Sequence, residues 1–287
     1  MKTIELTSGS LTVSGAAPRE APTLAAAAAH EDVFDGRRWT FRAGFDEVLR
    51  RVPAAVWLDP AAQGWECVKR NSGRSVWRAQ IAGRTYFLKY YHDAPWRTWL
   101  KGLFREPACA AEWRGALFAL DNGIATVPPA GFTTDLRAGG RSGALLVTEA
   151  VEPVWPLNAF WELLQTDDDA ARRRADADQL AERLAELIAR AHQAGFQHTD
   201  MHAENILVQR VGPRRYRAVF VDLHSARLGV PISDRAVISN LAQLNQWFRR
   251  HAPIGDRLRF LRAYLRWRDE YEHAFPYGRT LGLSFRE

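Results

Sequence analysis

The chain has 287 residues, long enough for one large two-lobed domain with a substantial core. Hydrophobic residues make up 47% and charged residues 25%, with 11 Trp and 14 Phe, a balance that excludes an intrinsically disordered chain. The net charge of +6 favours anionic partners such as nucleotides, phosphorylated glycans, nucleic acid or membrane headgroups, and the two cysteines, Cys67 and Cys109, support neither a disulfide framework nor a thiolate metal site.

Residues 1–30 are rich in Ser, Thr, Gly, Pro and Ala without a sustained apolar period, which predicts a flexible leader. No cationic start precedes an apolar core there, so no secretory signal is expected. A single domain is expected over 31–287, its folded body starting near Trp39. From Trp65 to Tyr91, short apolar and aromatic runs alternate with the turns Asn71-Ser72-Gly73 and Ala82-Gly83-Arg84, as antiparallel strands do. The aromatic and basic stretch Pro95 to Arg105 suits either contact with a membrane surface or a loop packed on the sheet.

A helix is predicted from about Pro107, with Trp113, Leu117 and Leu120 on one face and Asn122-Gly123 as its stop. Ala144 to Thr148 reads as a buried strand. Arg172 to Ala194 then carries Leu180, Leu184, Leu187, Ile188 and Ala191 on a helical stripe closed by Gly195. Ile206-Leu207-Val208 and Val219-Phe220-Val221 are two β runs around a turn at Gly212-Pro213, and the rest is helical to about Tyr271. No run approaches about eighteen uninterrupted apolar residues, so membrane association is expected to be peripheral.

The chemistry concentrates between Gly195 and His224. In His198-Thr199-Asp200-Met201-His202-Ala203-Glu204-Asn205, an Asp and an Asn stand five apart, after a helix and before a β run, which is the spacing of a kinase catalytic loop. Phosphoryl transfer needs a carboxylate to take the acceptor hydroxyl's proton and an amide oxygen to hold a metal without a further full charge. Asp200 suits the first role and Asn205 the second. Asp222, ending the strand Val219-Phe220-Val221, supplies a carboxylate for a hard cation such as Mg²⁺. Upstream, Lys89 on a strand is placed to bind the α and β phosphates of ATP, with Glu112 as its acidic partner and Glu106 as the competing one. The turn with Ser72 and Gly73 has one Gly where a protein kinase loop has three; it serves either as a phosphate cradle or as an ordinary hairpin turn. By position, the adenine edge is expected at Glu149 to Val151.

These residues resemble the lipopolysaccharide kinase family, the Kdo and core-heptose kinases of Gram-negative bacteria, within the protein-kinase-like superfamily. The resemblance covers roughly 65–267 and rests on Lys89, Glu112, Asp200, Asn205, Asp222, on Asp222-Leu223-His224 in place of Asp-Phe-Gly, and on Asp256 to Tyr264. It implies an α+β, two-lobed protein-kinase-like fold with a small antiparallel-sheet N-lobe (about 39–148), a hinge (about 149–155) and a larger helical C-lobe (about 156–287). It also implies ATP and Mg²⁺, a sugar hydroxyl of the lipopolysaccharide core or another glycan as acceptor, no nucleic acid, and a cytoplasmic location at the inner-membrane surface. Thr199 replaces the usual Arg before the catalytic Asp and no Ala-Pro-Glu follows Asp222, so activation-loop control and a protein substrate are not expected; Asn240 stands where relatives often have Asp, which weakens one structural contact. His198, His202 and His224 are read as loop braces rather than zinc ligands. The alternatives are a soluble small-molecule kinase of the aminoglycoside or choline type, and a catalytically silent kinase-like binding module.

Overall fold

The computed structural model describes residues 29–274 apart from 35, 93–105, 139–140 and 230–231. The expected leader, except Ala29 and His30, and the whole Pro95 to Arg105 stretch lie outside the described residues.

Period-two alternation builds the small lobe. Strand β4 (Arg74–Ile81) buries Ser75, Trp77, Ala79 and Ile81, and β5 (Arg84–His92) buries Tyr86, Leu88 and Tyr90. The two pair antiparallel with Val76 opposite Lys89 and Arg74 opposite Tyr91, which puts these four residues on one face, away from the tryptophan-rich core. With β1 (Ala29–Phe34), β2 (Arg37–Arg42), β3 (Glu66–Arg70), β6 (Pro129–Ala138) and β7 (Arg141–Glu149) they form a seven-stranded antiparallel sheet, ordered β1-β2-β6-β7-β5-β4-β3. The sheet therefore begins ten residues before Trp39. Trp39, Phe41, Trp57, Trp77 and Leu88 fill one side of it, beneath α1 (Asp46–Leu49) and α2 (Ala54–Leu58). Helix α3 (Ala108–Asp121) covers the other, packing Cys109 and Trp113 on Ala144 and Leu146.

The larger lobe is helical around a second antiparallel sheet, ordered β10-β9-β8, of β8 (Val154–Pro156), β9 (Ile206–Gly212) and β10 (Arg215–Phe220). Its helices are α4 (Leu157–Gln165), α5 (Ala170–Gln193), α6 (Asp234–His251) and α7 (Ile254–Ala274). Asp169 caps α5 by accepting from the amides of Ala171 and Arg172, and the apolar stripe of α5 sits in a core with Phe160, Ile206, Phe220 and Tyr264. Gly195, at φ +74°, ends α5: its N–H bonds to His192 O and Phe196 N–H to Ala191 O, the closure a left-handed residue allows. That turn aims the chain into the loop bearing Asp200.

Several contacts couple the lobes. Phe220 N–H donates to Ala125 O at 2.9 Å, and Thr126 Oγ1 donates back to Phe220 O at 2.9 Å. Helix α3 also rests on the 3-10 turn Leu223–Ser225 at Gly115, where a Cβ would meet Leu223 Cβ and O at 3.2 Å. Any side chain at Gly115 would force Leu223 to give by a few tenths of an ångström, so glycine suits this close approach of the helix to the backbone after Asp222.

A buried chain of hydrogen bonds supports the loop from below. His192 Nδ1 accepts from Tyr264 OH at 2.8 Å, and its Nε2 donates to Asn240 Oδ1 at 3.3 Å. Asn240 Nδ2 donates to His198 O at 3.0 Å, and His198 Nε2 donates to Val221 O at 2.9 Å. Burial lowers the His192 pKa to about 4 and pushes that of His198 down as well. A histidine with a lowered folded pKa takes its proton first in the unfolded chain, so stability is full above about pH 6.5 and falls as the pH drops toward 4. The loss from His192 is on the order of 3 kcal/mol. Urea midpoints of wild type should fall more steeply over that window than those of His192→Gln, which keeps an amide partner but cannot titrate; parallel slopes would contradict this.

Candidate active site

The small-lobe face of the cleft carries an ion pair. Lys89 Nζ donates to Glu112 Oε1, and Tyr91 OH donates to Glu112 Oε2 at 2.6 Å. Glu112 is 2% exposed, a depth at which a lone carboxylate is costly, so lysine and tyrosine together satisfy it. Burial, reinforced by Glu112, pushes the Tyr91 hydroxyl well above its ordinary range and keeps it a donor. Glu106, the competing partner, turns away and pairs with Arg114 at 2.6 Å.

The helical lobe supplies the second cluster. Asn205 Nδ2 donates to Asp200 O at 2.8 Å and to Asp200 Oδ2 at 3.0 Å, which leaves Asn205 Oδ1 as the oxygen able to meet a cation. His202 Nε2 lies 2.9 Å from Asp200 Oδ1, and Gln243 holds the loop by donating to Thr199 O at 3.1 Å and accepting from Met201 N–H at 3.3 Å. The Asp200 side chain is 48% exposed, so a hydroxyl from solvent can reach it. Val221 N–H donates to Asn205 O at 3.0 Å, which brings Asn205 beside the segment carrying Asp222.

Asp222 joins the clusters. It is left-handed, at φ 61° and ψ 55°, an unusual conformation for a non-glycine residue and one that functional sites often hold. Arg74 grips it with both guanidinium nitrogens, Nη1 to Oδ1 at 2.7 Å and Nη2 to Oδ2 at 2.9 Å, while His224 Nδ1 lies 2.8 Å from Oδ1. Burial alone would raise the Asp222 pKa; hydrogen bonds from His224 and Arg74 and the charges of Lys89 and Arg74 outweigh it and hold the carboxyl well below the usual range. The same contact raises the pKa of His224.

The remaining sequence candidates belong to the β3–β4 turn and the end of β7. In the turn between β3 and β4, Gly73 N–H and Arg74 N–H both donate to Asn71 Oδ1, at 3.0 and 2.7 Å, so the Gly73 amide is committed within a tight turn, and Ser72 is exposed. Glu149, ending β7, pairs its carboxylate with Arg84 at 3.5 Å and its N–H with Pro128 O at 2.8 Å; Val151 follows half-buried where the chain leaves the sheet. Sequence reasoning missed Arg74, Tyr91 and Gln243. Strand parity was the available signal for the first two, since both share the Lys89 face.

The model of the lipopolysaccharide kinase (Kdo/WaaP) family matches residues 54–264, nearly three quarters of the chain. The chain belongs to that family. This kinase uses ATP and transfers a phosphoryl group to a sugar hydroxyl of the lipopolysaccharide core. A solved structure titled "WaaP in complex with acyl carrier protein" has a similar fold, with TM-score 0.57, 22% identity, and coverage of 83% of the kinase and 94% of that chain. No curated protein matches the sequence.

Lys89 and Glu112 should act as one unit, because each is the other's buried counter-charge. Lys89→Ala and Glu112→Ala combined should therefore cost little more in kcat/KM than the worse single change. Fully additive losses would separate the two residues.

Proposed function

We propose that Asp200 is the general base, that Asn205 and Asp222 hold Mg²⁺, and that Lys89, braced by Glu112, binds the α and β phosphates with adenine against Glu149 and Val151. The observation that carries this reading is the meeting of three elements at Asp222: Arg74 from the sheet, Lys89 within electrostatic reach, and Asn205 bonded to the preceding residue. The oxygen donors fit Mg²⁺, which takes one or two protein ligands and completes its shell with phosphates and water. When bound, Mg²⁺ neutralises charge developing on the phosphates. His198 Nε2 donates to Val221 O and His202 Nε2 lies against Asp200 Oδ1, contacts that brace the loop.

The step balances with these groups. The acceptor sugar oxygen attacks the γ-phosphorus while its proton passes to Asp200. The bond from γ-phosphorus to the β–γ bridging oxygen breaks, and ADP leaves with that oxygen. Asn205 and His202 fix the Asp200 carboxylate, so the base need not be ordered as the reaction proceeds.

The kinase works at the cytoplasmic membrane surface, as a peripheral protein. Among the described residues, no helix is long and apolar enough to cross a membrane. Helix α7 instead presents Ile254, Leu258, Leu261 and Leu265 to solvent, spaced for one face, with Arg262 beside them and Arg249 and Arg250 near its start. Vesicles containing anionic lipid should co-sediment the protein at low ionic strength and release it at roughly 0.5 M salt, where screening shortens to a few ångströms. Leu258→Asp with Leu261→Asp should abolish binding. A wild type that ignores such vesicles while phosphorylating a free aminoglycoside would support the small-molecule kinase instead.

A further inference from the structure

The β3–β4 turn presents the cleft with a guanidinium rather than with free amides. Gly73 N–H and Arg74 N–H are both spent on Asn71 Oδ1, and Gly73 O accepts from His92 N–H at 2.9 Å, so these backbone groups are already paired. What the turn sends inward is the Arg74 side chain. It lies on the sheet face that also carries Lys89 and Tyr91, and it is 19% exposed. Lys89 is already engaged by Glu112, whereas the carboxylate that Arg74 grips belongs to the residue assigned to the metal.

That grip and metal binding compete. Arg74 covers both oxygens of Asp222, and a divalent cation at those oxygens would lie against a positive guanidinium. A planar guanidinium pairs with phosphate through the same two-pronged geometry that it uses on carboxylate. We propose that Arg74 is the phosphate ligand of the β3–β4 turn: it holds Asp222 until nucleotide arrives, then passes to the β and γ phosphates and releases Asp222 to the metal. Arg74 is the first residue of β4 and follows the exposed Asn71, Ser72 and Gly73. In this account one arginine replaces the amides that a three-glycine loop would supply. The proposal rests on the reading of the cleft as the ATP site.

Calorimetry on the full chain distinguishes it from a plain latch between lobes. Wild type, Arg74→Ala and Arg74→Lys are titrated with adenosine, with ADP in Mg²⁺, and with Mn²⁺ alone. The expected result for Arg74→Ala is ADP affinity about tenfold to a hundredfold weaker, the scale of a charge-assisted contact, adenosine affinity unchanged, and Mn²⁺ bound more tightly. Arg74→Lys, which keeps the charge and should fold if the alanine variant does not, is expected to lose part of the ADP affinity and none of the adenosine affinity. Equal weakening of adenosine and ADP, unchanged ADP affinity, or Mn²⁺ binding that stays the same or weakens would each overturn the handover. A wild type that binds neither adenosine nor ADP would overturn the ATP-site reading beneath it.

Discussion

Asp200→Asn is expected to lower kcat by at least about a hundredfold, the scale of losing a positioned base, while ADP affinity stays close to that of wild type. The substitution is nearly isosteric, and Asn205 Nδ2 can still donate to the side-chain oxygen and to Asp200 O, so the loop keeps its shape. The Asn205 contact to Asp200 O does not involve the altered group at all. What disappears is the carboxylate proposed to take the sugar proton. Steady-state kinetics paired with ADP calorimetry read the two effects separately, and near-normal turnover would remove Asp200 from the base role.

The second large effect belongs to Asp222→Ala. Losing the metal carboxylate should erase the gain in ATP affinity that Mg²⁺ gives wild type, and lower turnover by roughly a hundredfold to a thousandfold, since metal stabilisation of the transferring phosphoryl is worth several kcal/mol. The carboxylate is held ionised by His224, Arg74 and Lys89, so no proton competes with a cation for it in the physiological pH range. Titrations with and without Mg²⁺ decide the matter: a variant whose ATP affinity still rises with Mg²⁺ as in wild type would assign the metal elsewhere.

Much of this site was legible in the sequence because its parts are local. Asp200 and Asn205 sit in one short loop bounded by a helix-stopping Gly195 and a β run, so their separation along the chain nearly fixes their separation in space. The partner of Lys89 was readable from the order of strand and helix, but the choice between Glu112 and Glu106 was settled by burial: Glu112 lies inside α3, whereas Glu106 precedes the helix and meets Arg114. The antiparallel small sheet and the long stripe of α5 followed from period and caps.

Other features were hidden for physical reasons. Strand β1 carries His30, Glu31 and Asp32 at a sheet edge and half-exposed throughout, so it lacks the apolar alternation that announces a strand. The Arg74 to Asp222 contact spans 148 positions and depends on how the lobes close, which no local pattern encodes. Asn240 looked like a weakened contact. In the structure it is 1% exposed and links His192 to His198, where its amide both donates and accepts, something a carboxylate cannot do.

The central claim is tested most directly by incubating the purified protein with Mg²⁺-ATP labelled at the γ phosphate, together with lipopolysaccharide extracted from a strain lacking this chain, and following label and mass in the core oligosaccharide. Deacylated core and free aminoglycosides run in parallel. The expected result is one phosphoryl group added to a core sugar, dependent on Mg²⁺ and absent with Asp200→Asn. Label that stays in ATP with every lipopolysaccharide preparation, or that passes to aminoglycosides alone, would contradict it.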